Sequence, residues 1–197
     1  MAAVTSEPPN PAPSNPALEL LLNRRSCHRL TAPGPSDEEL ALILRAARRV
    51  PDFGHLQPYR FLAARGDGLD RLGQAMHRAA EAAGKPAEII ERTPRMPHRA
   101  PLVIVVAASP RPHQTIPVFD QQLCAASTVL TMQLAARALG YGGVWRSGWL
   151  MYDPGFHREL GLAEQEQIVG FLYLGTPARP EEPAPEPVDP LAPLCWL

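Results

Sequence analysis

The sequence predicts an α+β domain: a small, mostly antiparallel sheet covered by helices, with a long apolar helix at its centre. Three observations carry this expectation. Leu102-Val103-Ile104-Val105-Val106 is an apolar run rich in β-branched residues and free of polar ones, as expected of a strand buried on both faces. Residues Phe119–Leu139 read as a helix that is apolar almost all round, through Leu123, Ala126, Val129, Leu130, Met132, Leu134, Ala135 and Leu139. A helix of that kind belongs in a core or a subunit interface. The strands are few and the helices between them unequal, unlike the strict βαβ alternation of a doubly wound sheet.

Taken in order, Ala17–Arg25 is a short amphipathic helix. Ser36 followed by Glu39 is a capping box that opens a helix running to about Arg49, and Pro51 ends it. Asp52–Pro58 is a loop, Tyr59–Ala64 a strand, Leu69–Ala83 a helix and Ala87–Arg92 a further short helix. Gly140 suits the residue just past the long helix, because glycine adopts the left-handed backbone a helix end favours. Gly142–Trp145 starts a strand, Pro154–Leu160 is a helix, and Gln167–Leu174 is the last strand, closed by Gly175-Thr176-Pro177. Five prolines within residues 1–16 and seven within 177–197 mark tails, since proline removes donors and fixes φ. The expected organisation is a disordered tail over 1–15, a domain over 16–177 and a proline-rich tail over 178–197. The apolar end Leu194-Cys195-Trp196-Leu197 suggests that the second tail packs on the domain or on a second subunit.

A chain of 197 residues is long enough for one domain with a sizeable core. Its net charge of -1 argues against a dedicated nucleic-acid binder. Lys85 is the only lysine, a bias that reflects genome composition more than function. Cys27, Cys124 and Cys195 are odd in number and widely spaced, which is not a disulfide framework and not a zinc pattern. The first residues lack the basic flank and apolar stretch of a secretion signal, and no apolar run reaches membrane-spanning length. A cytoplasmic setting is expected.

The chemistry-bearing motifs are sparse. Gly66-Asp67-Gly68 fails as a dinucleotide loop, because its third glycine falls two positions late at Gly73, so it reads as a turn into a helix. No Walker sequence, nucleophile elbow or paired histidine ligand spacing is present. His113 and His157 read as surface residues, and the acidic residues, at helix starts and in the C-terminal tail, as solvated. No catalytic side chain or metal site is expected, so an enzyme here would rely on a cofactor. Two stretches stand out: Arg24-Arg25-Ser26-Cys27-His28-Arg29 and Gly142-Gly143-Val144-Trp145-Arg146-Ser147-Gly148. Each sets guanidinium groups and a hydroxyl beside an element end, and arginine forks suit phosphate oxygens. The plainer explanations are arginines complementing a helix macrodipole and a Gly-Gly turn. The order in which both occur, with Gln57-Pro58-Tyr59 between them, favours a site for a phosphorylated aromatic cofactor.

On these motifs, with Arg-Val-Pro-Asp at 49–52 and Ile-Val-Gly-Phe-Leu-Tyr-Leu-Gly-Thr-Pro at 168–177, the chain resembles the FMN-dependent nitroreductase family, in its small NAD(P)H nitroreductase branch. The resemblance runs from about Ala17 to Pro177. It implies a homodimer with FMN at the subunit interface and NAD(P)H as co-substrate. Arg24, Arg25 and Ser26 match one FMN-binding motif, and Trp145, Arg146 and Ser147 match another. Arg49 and Phe53 match positions that contact the flavin from around the Pro-Asp loop, in the same or the second subunit. Ala135, Ala136, Arg137, Ala138, Leu139 and Gly140 match a segment assigned to NAD(P). Departures are Phe53, where relatives of this branch carry a polar residue, often histidine, His55 in place of an asparagine, and Tyr59 in place of a tryptophan. The implied activity is hydride transfer from NAD(P)H through flavin N5 to nitroaromatic or quinone-type acceptors. The alternative is a non-redox flavin-binding protein, for storage or sensing, on the same fold.

Overall fold

A computed structural model describes residues 15–179 and 193–196. Six helices and five strands follow in the order α1 (Pro16–Leu22), β1 (Leu30–Thr31), α2 (Asp37–Ala47), β2 (Tyr59–Ala64), α3 (Asp67–Ala82), α4 (Ala87–Arg92), β3 (Leu102–Ala108), α5 (Val118–Ala138), β4 (Gly142–Arg146), α6 (Pro154–Glu159) and β5 (Gln167–Pro177). Short 3-10 turns lie at Phe53–His55, Thr93–Arg95, Pro97–Arg99 and Trp149–Met151. The sheet runs β1-β5-β3-β2, with β4 also on β5, and all four pairings among the described residues are antiparallel.

β3 is buried throughout, as expected of a strand paired on both edges and covered on both faces. Its alternation divides the core in two. Val103 and Val105 face Leu72 and Met76 of α3, Phe156 of α6, and Phe171 and Tyr173. Leu102, Ile104 and Val106 face Ile43 of α2, Val129 and Met132 of α5, and Leu172 and Leu174. Helices thus cover both sides of the sheet.

Local sequence rules explain most element ends. The Ser36 hydroxyl accepts the Glu39 N–H at 3.2 Å, and the Glu39 carboxylate accepts the Ser36 N–H at 2.8 Å, the expected capping box. Gly140, at φ 89, follows α5 in the left-handed conformation. Gly66, at φ 50, turns the chain into α3.

Several expectations are corrected. α1 ends at Leu22, so Arg24 and Arg25 lie beyond it rather than in its last turn. The last strand does not close at Leu174. β5 continues to Pro177 because β1, which the sequence reading missed, pairs with Thr176 and Pro177. A two-residue strand carries too little pattern to be read locally. His157 is half-buried, its ring Nε2 2.8 Å from the Met151 carbonyl. Glu166, between α6 and β5 and so outside the helix starts and tail where solvated acids were expected, is buried: its carboxylate accepts the Ala163 N–H at 2.8 Å and Arg60 Nη1 at 3.0 Å.

α5 buries Gln121, Thr128 and Gln133 along with its apolar core face, and leaves Phe119, Leu123 and Leu130 exposed. Among the described residues, no helix is long and apolar enough to cross a membrane. The tail expected over 1–15 lies outside the described residues except for Asn15, whose side chain caps α1 by accepting the Ala17 N–H. In the second tail the described residues Leu194, Cys195 and Trp196 are exposed.

Candidate active site

The two arginine-bearing motifs, far apart in sequence, meet at β4. The Cys27 N–H donates to the Gly143 carbonyl at 3.0 Å. The Gln133 side chain, buried on α5, donates from Nε2 to that same carbonyl at 2.8 Å and to the Arg25 carbonyl at 3.2 Å. Strand β4 and the segment after α1 are therefore held by one amide. Gly142 is needed here because a Cβ would lie 2.9 Å from both Cys27 Cβ and Leu30 Cδ2. At Gly143 a Cβ would lie 2.8 Å from Leu174 Cδ2, so both glycines have a packing reason within β4.

At the other end of β4 a cavity of about 370 Å³ opens. Its floor is apolar, with Met76, Val144, Leu150, Phe171 and Tyr173. Its rim carries His28, Arg92, Arg99 and Arg146, and no carboxylate lines it. Trp145, Ser147, Gly148 and Trp149 complete the wall. The Arg146 guanidinium lies over the Tyr173 ring, 5.4 Å from its centroid. Burial pushes the Tyr173 phenol above its ordinary pKa, with the charges of Arg146 and Arg99 pulling the other way, so the ring wall is neutral at physiological pH. Arg146 Nε is buried with no hydrogen-bond partner. A buried donor left unpaired is costly, and it marks a place where a ligand acceptor belongs. The indole Nε1 of Trp145 donates to the Val169 carbonyl at 3.3 Å, and the ring packs so closely over Gly170 that a Cβ there would collide with it. The cavity can take a flat apolar ring with anionic or acceptor atoms at its edge.

The remaining expected residues fall elsewhere in the protomer. Arg24 and Arg25 are half-buried and Ser26 exposed. They do not line the cavity, but His28 on the same segment does. Arg49, just past α2, lines a second cavity of about 620 Å³ with Arg45, Arg48, Asp52, His55, Gln57 and Tyr59. Phe53 is 76% exposed and lines neither. Ala135–Gly140 form the last turn and end of α5, with Ala136 fully buried, and line neither.

The second cavity rests on a strained loop. Gly54, His55 and Gln57 have φ of 77, 52 and 47. Asp52 stabilises this path by accepting the Leu56 and Gln57 N–H groups at 3.1 and 2.8 Å. An Asp opening a turn is the local signal for such capping, and the sequence reading did not use it. Cys124 lies near Asp52, and burial first, then the Asp52 charge, push its thiol up to about 11. It is a protonated core thiol, not a nucleophile. Among the described residues no His, Cys, Asp and Glu group has the makings of a metal site. Sequence reasoning singled out the stretch that contains His28 without assigning it a role, and missed Arg92 and Arg99. Arg92 ends α4 and Arg99 ends a 3-10 turn, and the relation of both to β4 is set only by the fold.

Comparison with known proteins places this arrangement. The model of the nitroreductase family matches residues 21–176, from the end of α1 to the β1-paired end of β5. The protein named "Putative NAD(P)H nitroreductase YdjA" of Escherichia coli K12 is 45% identical over 161 residues, covering 82% of this chain and 88% of that one. The crystal structure of a nitroreductase-like family protein from Bacillus cereus superposes with a TM-score of 0.73 at 27% identity, covering 95% of this chain and 94% of that one. A "putative nitroreductase" from Desulfovibrio desulfuricans, solved in complex with FMN, superposes with a TM-score of 0.70 at 25% identity, covering 93% and 99%. A match that spans both arginine-bearing motifs and every strand of the sheet has one meaning: the chain belongs to the nitroreductase family.

Proposed function

We propose that this chain is a homodimeric, cytoplasmic, FMN-dependent oxidoreductase that takes hydride from NAD(P)H and passes it to nitroaromatic or quinone-type acceptors. The observation that carries the reading is the unpaired, buried Arg146 Nε in a cavity with an apolar floor and a cationic rim. Those groups fit FMN, whose ring is flat and apolar on its faces and rich in acceptors along one edge. FMN held there would supply the redox chemistry, accepting hydride from NAD(P)H and passing it to the acceptor, with ping-pong kinetics expected where both use one open face.

The chain's own residues bind and orient. Arg24, Arg25 and Ser26 offer charge-assisted donors to the phosphate, each bond contributing about 1.5–3 kcal/mol. Trp145, Arg146 and Ser147 hold the ring against β4. Arg49 and Phe53, set apart from that cavity in the protomer, reach the cofactor of the second copy. The exposed Phe119, Leu123 and Leu130 of α5 then lie between subunits. The Ala135–Gly140 segment contributes to NAD(P) binding. No side chain is needed as catalytic acid, since solvent supplies protons. The chain's own contribution to rate would be positioning, by holding the two reactants in one place and orientation.

The test is the visible spectrum of purified protein before and after anaerobic NADPH. The reading predicts a yellow protein that bleaches and regains colour on adding a nitroaromatic. A yellow protein that neither NADH nor NADPH bleaches is the non-redox flavin binder. A colourless one that stays colourless with added FMN refutes both.

A further inference from the structure

The rim of the Arg146 cavity holds two guanidinium groups that neither the resemblance nor the FMN motifs account for. Arg92 ends α4, and Arg99 ends the 3-10 turn at Pro97–Arg99. Both are exposed at the mouth of the cavity, and neither forms an ion pair among the described residues, although Arg60, Arg65 and Arg78 all do. His28 stands on the same rim, and no carboxylate faces it. The floor beneath is apolar, and the deep donor, Arg146 Nε, has no partner. Arginines at a water-exposed mouth with no acid among the lining residues repel one another, and an anion between them removes that repulsion. Arg99 lines the same cavity as Arg146 and Tyr173.

We infer that Arg92 and Arg99 are further ligand-binding residues of this site, which with Arg146 clamp an anionic or acceptor oxygen of the bound flavin. The assignment rests on the proposed FMN chemistry and adds two residues to it, one from the end of α4 and one from a 3-10 turn. A flavin offers such oxygen at its phosphate and at the carbonyl edge of its ring, and the clamp chemistry is the same for both.

The experiment measures flavin affinity rather than turnover. The full chain, freed of bound flavin, is titrated with FMN and with riboflavin, which lacks the phosphate, following flavin fluorescence. The double variant Arg92→Gln/Arg99→Gln is compared with wild type. Arg95→Gln, on a neighbouring turn but not on the cavity, is the control. The expected result is a Kd for FMN raised about ten- to hundredfold in the double variant and unchanged in the control, with wild-type melting in both. If riboflavin binding is unaffected, the clamp holds the phosphate. If riboflavin weakens in parallel, it holds the ring edge. Wild-type affinity of the double variant for both flavins overturns the assignment while leaving the FMN reading intact. A wild-type chain that binds neither flavin overturns that reading, and this assignment with it.

Discussion

Arg146 and Arg24 illustrate how differently two arginines of one sequence pattern are placed. Arg146 reaches inward from β4, lies over Tyr173 and leaves Nε unpaired, whereas Arg24 sits half-buried beyond α1. Their substitutions separate accordingly. Arg146→Ala is expected to raise the FMN Kd about tenfold or more and to slow flavin reduction by NADPH, read by stopped-flow absorbance. Wild-type reduction at wild-type flavin content removes Arg146 from the site. Arg24→Ala is expected to lower FMN retention on dialysis with the melting temperature unchanged. Stoichiometric retention counts against its phosphate role. Both positions were legible as arginines beside element ends. Which one faces a cavity was not, because side-chain direction along a short strand depends on what packs beside it, here Phe171, the register partner of Arg146 on β5, and the Tyr173 ring.

Among the elements, α2 was the most legible, since its N-terminal signal is local. Its capping box predicts that Ser36→Ala lowers stability by about 1 kcal/mol, seen as a fall of a few degrees in the thermal midpoint with flavin binding retained. Glu39 does more than cap. Its carboxylate also accepts the Tyr141 hydroxyl at 2.7 Å, tying α2 to the residue just before β4. The backbone hydrogen bond from Ser36, then that from Tyr141, hold the Glu39 carboxyl below its ordinary value of 4.5. A depressed folded pKa stabilises above the unfolded value, so this contribution is full at neutral pH and is lost as pH falls through the lower folded value. β3 was legible for a similar reason, since an unbroken apolar run signals burial on both faces. β1 was not, because two residues make a strand only when Thr176 and Pro177 are beside them. The loop over Asp52–Pro58 was legible as a loop, but its run of left-handed residues required the Asp52 carboxylate to be seen at work.

On the scale of the molecule, residues expected to share one cofactor are dispersed in a single protomer: Trp145–Ser147 line one cavity, Arg49 another, and Arg24, Arg25, Ser26 and Phe53 neither. The proposed dimer, docked through the exposed face of α5, would bring such residues together from two copies. Leu130 is 41% exposed on that helix, and a charge there would be desolvated in an interface. Leu130→Glu is expected to shift sedimentation from a two-chain to a one-chain mass and to reduce bound FMN at the same time. A wild-type protein that sediments as one chain with FMN bound contradicts the dimer.

The sequence by itself determined the fold class, most element positions and the family, because periodicity, caps, glycine positions and ordered motifs are all carried by neighbours along the chain. Only the tertiary structure decided that Gln133 joins the Arg25 segment to β4, that Arg146 ends in an unpaired donor, and that Arg92 and Arg99 share its rim. Those relations depend on how helices on short turns settle against a sheet, and packing over long sequence separations leaves no periodic trace in the residues it brings together.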